Sequence, residues 1–194
     1  MLRNTLISCV PVLLLTSTSF AAEPSDWELI RDATNRQRLI RITDEPHEMD
    51  DSTNKACRPF GFDANLIHDG YGQSAFCNVY VNEKGKRALI DGLNHYPQGS
   101  MIVKSKLRSK SDRDPELYTV MRKMGSTFDA QNRNWEYSVI DGRTRRILAR
   151  GRIDSCISCH ARYAETDYIT RVYMKQDDGE PSVGPKPGLR NQMQ

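Results

Sequence analysis

The stretch NWEYSVIDGRTRRILARG, residues 134–151, decides the fold class of this chain. Apolar and polar side chains alternate from Trp135 to Val139, which is the period-two pattern of a half-buried strand. Asp141-Gly142 then predicts a turn, and RRILARG, residues 145–151, supplies a second strand-like run. The stretch therefore predicts a β-hairpin within an antiparallel sheet.

Further strand patterns lie on both sides of this hairpin. Runs rich in β-branched and aromatic residues predict strands over residues 76–81, 100–107, 117–124 and 167–175. Residues 44–55, DEPHEMDDSTNK, contain turn-forming and charged residues and are interpreted as a loop. The predicted sheet therefore extends over most of the chain.

The predicted helices are short. Ser25 and Glu28 form a capping-box pattern that predicts a helix at the start of the mature chain. A second helix is predicted after Asn82, and a third one is expected to be capped by Asp154 or Ser155. Few short helices among many strands predict an α+β domain with a mainly antiparallel sheet, and argue against a four-helix bundle.

The two ends of the chain differ in composition from its middle. Residues 1–21 contain a basic start, an apolar run over residues 6–15 and small residues before Ala21, which together predict a signal peptide and export to the periplasm. No stretch reaches the roughly twenty apolar residues that a membrane span needs. Residues 177–194 are rich in Pro, Gly and charge and predict a disordered tail. A single domain is thus expected over residues 22–176.

The charge of the chain argues against a nucleic-acid partner. Its 28 Lys and Arg residues nearly balance 25 Asp and Glu residues, and no long basic run is interleaved with aromatic residues. A small molecule or a cofactor is the expected partner.

The motif Cys156-Ile157-Ser158-Cys159-His160 has the spacing of covalent c-type haem attachment. The two thiols would form thioethers with the haem vinyl groups, and the histidine that follows would bind the iron. A zinc site is less well supported, because no second close pair of Cys or His completes four ligands. A thioredoxin-like redox pair would prefer a βαβ context, which is absent.

Two further cysteines and the sixth iron ligand leave alternatives open. Cys57 and Cys77 are interpreted as a structural disulfide in an oxidising compartment, with a thiolate ligand to haem as the alternative. Candidate sixth ligands are the histidines at positions 47, 68 and 95 and six methionines apart from Met1, of which Met174 is the good candidate after the haem motif. Only 34 residues follow His160, so an open sixth position that accepts a small ligand is expected.

Three separated segments resemble one known family. YPQGSMIVKSKL (residues 96–107), NWEYSVID (134–141) and CISCHARYAETDYITRVY (156–173) are similar in sequence and order to the cytochrome P-460 family. This family includes hydroxylamine-oxidising cytochromes P-460 and gas-binding beta-type cytochromes c-prime. The resemblance implies a largely antiparallel sheet with short helices, and a homodimer.

The resemblance also implies roles for individual residues. Cys156 and Cys159 would hold the haem c, and His160 would be the proximal iron ligand. In cytochromes P-460 a lysine is bonded to the haem macrocycle, and the similarity places Lys104 at that position. Strand alternation leaves open that Lys104 is instead a solvated lysine beside Lys106.

A carboxylate near the iron would help to move protons during hydroxylamine oxidation. Glu136 and Asp154 are the candidates, with a surface strand charge and a helix cap as their respective alternatives. Hydroxylamine oxidation, with a redox partner cytochrome, is the first functional hypothesis. Binding of nitric oxide or carbon monoxide without catalysis is the second, and electron transfer by a six-coordinate haem is the third.

Overall fold

The structure is a computed structural model that describes residues 24–50 and 75–174. Its strands are β1 (Ile40–Arg41), β2 (His47–Met49), β3 (Ala75–Val81), β4 (Met101–Leu107), β5 (Leu117–Lys123), β6 (Trp135–Asp141) and β7 (Ile147–Gly151). Its α-helices are α1 (Asp26–Thr34), α2 (Glu83–Ile90) and α3 (Asp154–His160). The predictions for the signal peptide, Cys57, His68 and the C-terminal tail lie outside the described residues.

One antiparallel sheet contains all seven described strands. Strands β3 to β7 follow one another in sequence order, and each pairs with the next. Both β1 and β2 pair with the remaining edge of β3. The α+β prediction with a mainly antiparallel sheet is therefore confirmed.

The predicted hairpin of β6 and β7 forms, with a turn over residues 142–146 that is longer than Asp141-Gly142 alone. Tyr137 lies opposite Gly151 and Val139 opposite Ala149, with a register shift between Val139 and Ile140. The Asp141 carboxylate accepts hydrogen bonds from the backbone N–H groups of Arg143 and Thr144, at 3.0 and 2.6 Å. This Asp-centred turn reverses the chain and leads it towards the cysteine motif.

Close packing around the turn makes a side chain at Gly142 unfavourable. A Cβ atom there would lie 1.7 Å from the backbone oxygen of Pro115, so the β4–β5 loop would have to move. We expect Gly142→Ala to lower the free energy of unfolding by about 1–3 kcal/mol, as overpacking does elsewhere. Chemical denaturation measures this loss. Gly125→Ala is the control, because its Cβ would meet Gln98 at an ordinary 3.5 Å; equal losses for both variants would contradict the expectation.

The two helices predicted near the start of the described chain are confirmed. Ser25 and Glu28 form the capping box of α1, which packs Leu29 and Ala33 on one face of the sheet. The side chain of Asn82 accepts a hydrogen bond from the Gly85 N–H at 3.1 Å and caps α2. The face of the sheet opposite α1 is the inner face.

Cross-strand register defines the inner face. One row across it contains Val79, Lys104, Thr119, Val139 and Ala149. The next row contains Val81, Ile102, Met121, Tyr137 and Gly151. Helix α3 and the segment after it cover this face, with Ile153, Cys156 and Ile157 packed on its core.

Three local predictions were wrong. Residues 167–174 form turns rather than a strand, and two consecutive residues, Asp167 and Tyr168, have left-handed φ values of 55° and 68°. His47–Met49, which was interpreted as loop, forms β2 because it pairs with β3. Helix α3 is preceded by Ile153 and has no side-chain cap, so neither Asp154 nor Ser155 caps it.

Among the described residues, no helix is long and apolar enough to cross a membrane.

Candidate haem site

Helix α3 brings the two thiols and the imidazole of the motif to one cavity. Cys156, Cys159 and His160 occupy positions i, i+3 and i+4 of a helix, so they share one face. All three line a cavity of about 220 Å³ between α3 and the inner face. The helix therefore presents its cysteines and its histidine to the same space.

The wall of this cavity is mainly apolar. The sheet contributes Val79, Ile102, Met121, Tyr137, Val139 and Ala149. The covering segment contributes Ile153, Ile169, Thr170, Tyr173 and Met174. None of the described residues that line the cavity carries a carboxylate.

The His160 ring is oriented by a backbone carbonyl. Its Nδ1 lies 2.8 Å from the carbonyl oxygen of Tyr168, so the Nδ1–H donates there and Nε2 keeps its lone pair. Burial lowers the pKa of His160 to about 4, against the hydrogen bond with Tyr168, which raises it. His160 is thus a neutral imidazole at neutral pH, in the tautomer that metal-binding histidines use.

Lys104 lies on the inner face and lines the same cavity. Its ammonium nitrogen lies 5.3 Å from the centre of the Tyr173 ring, and its charge contributes to lowering the pKa of His160. The side chain is half-buried. The half-buried position of Lys104 at the cavity therefore does not fit the alternative of an ordinary solvated strand lysine. Lys104 and Lys106 do share one face of β4, as strand alternation predicted.

The structure does not bring the two candidate carboxylates to the cavity. Glu136 lies on the opposite face of β6 from Tyr137, where its carboxylate accepts a hydrogen bond from Arg150 Nε at 2.8 Å. Asp154 is exposed in the first turn of α3. Neither residue is among those that line the cavity.

Some of the described candidates for the sixth iron ligand line the cavity, and others do not. Met174 lines the cavity, as does Met121 on β5. His47 and His95 are exposed and do not line it. Within the described part of the chain, His160 is thus the one imidazole at the cavity.

Sequence reasoning missed the residues that hold the segment after α3. Asp167 is buried, its carboxylate oxygens each lie 2.6 Å from Lys123 Nζ, and Tyr168 follows it with the carbonyl that His160 contacts. The interpretation of residues 167–175 as a strand concealed this arrangement. An Asp at the start of a supposed strand was the one signal, because Asp is depleted in strands.

The described residues fit a haem group. Two thiols and one neutral imidazole, all on one side of an apolar cavity, are the donors that c-type haem requires. The hydroxyl of Tyr137 is buried at this cavity without a hydrogen-bond partner among the described residues. A polar group of a bound cofactor would satisfy it.

The pKa of His160 predicts a pH dependence for the haem-free chain. Its folded-state pKa of about 4 lies below the ordinary value of 6.5, so the unfolded chain binds the proton first as the pH falls. We therefore expect His160 to contribute a loss of stability between pH 6.5 and pH 4. Thermal unfolding at several pH values should show a shallower loss in His160→Asn and no change in His95→Gln; identical slopes in all three proteins would contradict the assignment.

Comparison with known proteins identifies the family. The family model described as Cytochrome P460 matches residues 63–171, which is more than half of the chain and includes the motif and Lys104. No curated protein matches the chain at a significant level. The chain belongs to the cytochrome P460 family, as the three similar segments predicted, and is a haem cytochrome of this kind.

Proposed function

We propose that this member of the cytochrome P460 family is an exported, mono-haem c-type cytochrome that oxidises hydroxylamine in the periplasm. The observation that supports this best is the shared cavity of Lys104 with Cys156, Cys159 and His160. In this proposal the two cysteines hold the haem covalently and His160 Nε2 binds its iron. The haem, when bound, supplies a redox-active iron that takes electrons from the substrate and gives them to a partner cytochrome.

The chain's own residues prepare the site for this reaction. The Tyr168 carbonyl keeps His160 in the tautomer that binds iron. The mainly apolar wall would disfavour water at the site, which would strengthen electrostatic interactions with a small polar ligand. Space for such a ligand at the sixth position requires that Met174 stay in the wall rather than bind the iron.

Lys104 is the residue that would make this haem unusual. Its amine would bond to a carbon of the macrocycle: one N–H bond and one ring C–H bond break, two protons leave, and two electrons pass to an oxidant of the peroxide class. Such a bond would alter the electronic structure of the ring and with it the reactivity of the iron. The half-buried position of Lys104 on the inner face supports this role, because the amine is held at the cavity rather than in bulk solvent.

A pair of Lys104 variants tests this role. Peptide mass spectrometry of the wild-type holoprotein should find Lys104 and the cysteine motif joined through the haem. Lys104→Ala and Lys104→Arg should both lose that link and about 10- to 100-fold of hydroxylamine oxidation, as metal sites lose when a supporting group is removed. Full activity in Lys104→Arg would mean that only the positive charge matters, and would contradict the proposed bond.

A second function is favoured by a different observation, the lack of a carboxylate among the described cavity residues. An apolar cavity suits the binding of nitric oxide or carbon monoxide by an uncross-linked haem. Tight binding of these gases by wild-type protein, without hydroxylamine turnover, would support this second function over the first. We also propose a homodimer, which sedimentation of the holoprotein tests.

A further inference from the structure

A buried ion pair lies next to the segment that orients His160. Lys123 on β5 and Asp167 are 5% and 1% exposed, and the lysine Nζ lies 2.6 Å from both carboxylate oxygens. The same carboxylate accepts a hydrogen bond from the Tyr96 backbone N–H at 2.8 Å. Asp167 is therefore attached to the sheet and to the loop before β4 at once.

The backbone of Asp167 is fixed by a third contact. The indole Nε1–H of Trp135 donates to the Asp167 carbonyl at 2.8 Å. Asp167 and Tyr168 both have left-handed φ values, which an aromatic residue such as Tyr168 rarely adopts unless its surroundings impose it. This unusual backbone directs the Tyr168 carbonyl to His160 Nδ1.

The ion pair is better explained by orientation than by stability. Burying two charges costs desolvation that their attraction barely offsets, so a buried pair is weak evidence for a stabilising role. It does fix the position of both partners, because each carboxylate oxygen has a defined donor. By fixing Asp167, the ion pair also fixes the carbonyl of Tyr168, the next residue in the chain.

We propose that Lys123 and Asp167 are positioning residues for the axial ligand: their ion pair holds the Tyr168 carbonyl against His160 Nδ1 and so sets the strength of the His160–iron bond. The inference rests on the proposed function in one respect, that His160 binds haem iron. A strong Nδ1–H···O bond makes the imidazole a better donor to the metal. It should therefore raise the iron–histidine stretching frequency and lower the reduction potential of the haem.

Two variants of the pair and one control test the inference on the reduced holoprotein. Asp167→Asn removes the charge but keeps a side chain that tolerates a left-handed φ. The double variant Lys123→Met with Asp167→Asn also removes the buried lysine charge, so that it can fold where the single variant fails. Arg150→Met is the matched control, because it breaks the ion pair with Glu136 on the opposite face of the sheet.

Resonance Raman spectroscopy and redox titration give readouts independent of hydroxylamine turnover. We expect a lower iron–histidine frequency and a higher reduction potential in both Asp167 variants, and wild-type values in Arg150→Met. Wild-type values in the double variant, or an equal shift in Arg150→Met, would overturn the inference. A wild-type holoprotein without an iron–histidine band would instead refute the ligation by His160 on which the proposed function rests.

Discussion

Replacing both Cys156 and Cys159 with serine is expected to abolish covalent haem attachment. A serine hydroxyl does not form the thioether bond that c-type haem requires, and both thiols lie on the cavity side of α3. Haem staining of the denatured protein after electrophoresis should show complete loss in the double variant. Each single variant should keep one of the two thioether bonds.

Cys77→Ser is the control for this experiment. Cys77 is buried on β3 and does not line the cavity, so its variant should retain covalent haem even if its stability falls. Haem that stays on the denatured double variant would contradict attachment through the motif. Loss of haem from Cys77→Ser alone would indicate that β3, rather than α3, provides an attachment point.

The second large effect concerns stability. Lys123→Met should lower the free energy of unfolding by about 3–5 kcal/mol, because it leaves the Asp167 carboxylate buried without its cation. Burial lowers the pKa of Lys123, while the hydrogen bond with Asp167 opposes that shift, so Lys123 depends on Asp167 to keep its charge. Chemical denaturation of the holoprotein measures the loss.

The double variant Lys123→Met with Asp167→Asn provides the comparison for that measurement. It removes both charges and should lose clearly less stability than Lys123→Met alone, since neutral groups are cheaper to bury. A Lys123→Met variant as stable as the wild type would show that water or another cation reaches Asp167. An equal loss in both variants would place the cost in packing rather than in charge.

The parts of the fold that were predictable depend on local patterns. The β6–β7 hairpin followed from side-chain alternation and an Asp-Gly turn, and α1 followed from its capping box. The haem-binding interpretation of Cys156, Cys159 and His160 followed from their spacing alone, and all three line one cavity. Local signals sufficed here because each of these features is formed by residues that are close in sequence.

The features that were missed depend on distant residues. Strand β2 contains His47 and Glu48, both exposed, and exists because β3 offers it an edge. The turns at Asp167 depend on Lys123 and Trp135, more than 30 residues earlier. Tertiary contacts override local propensity at such positions.

The assignment of Glu136 illustrates a limit of a different kind. Strand alternation correctly places Glu136 on the opposite face of β6 from Trp135 and Tyr137. It does not show which of the two faces lies towards the cavity. The ion pair with Arg150 and the packing of α1 settle that question, because they occupy the face of Glu136. Lys104, by contrast, shares its row with Val139, on the same face as Tyr137.

The absorption spectrum of the purified, dithionite-reduced holoprotein is the most direct test of a bond between Lys104 and the haem. A haem bonded to Lys104 has an altered macrocycle, so we predict a Soret band strongly shifted to the red of ordinary c-type haem, and a return to the ordinary position in Lys104→Ala. An ordinary c-type spectrum in the wild-type protein would contradict the bond and leave the gas-binding function. A sharp six-coordinate spectrum would contradict the open iron position itself.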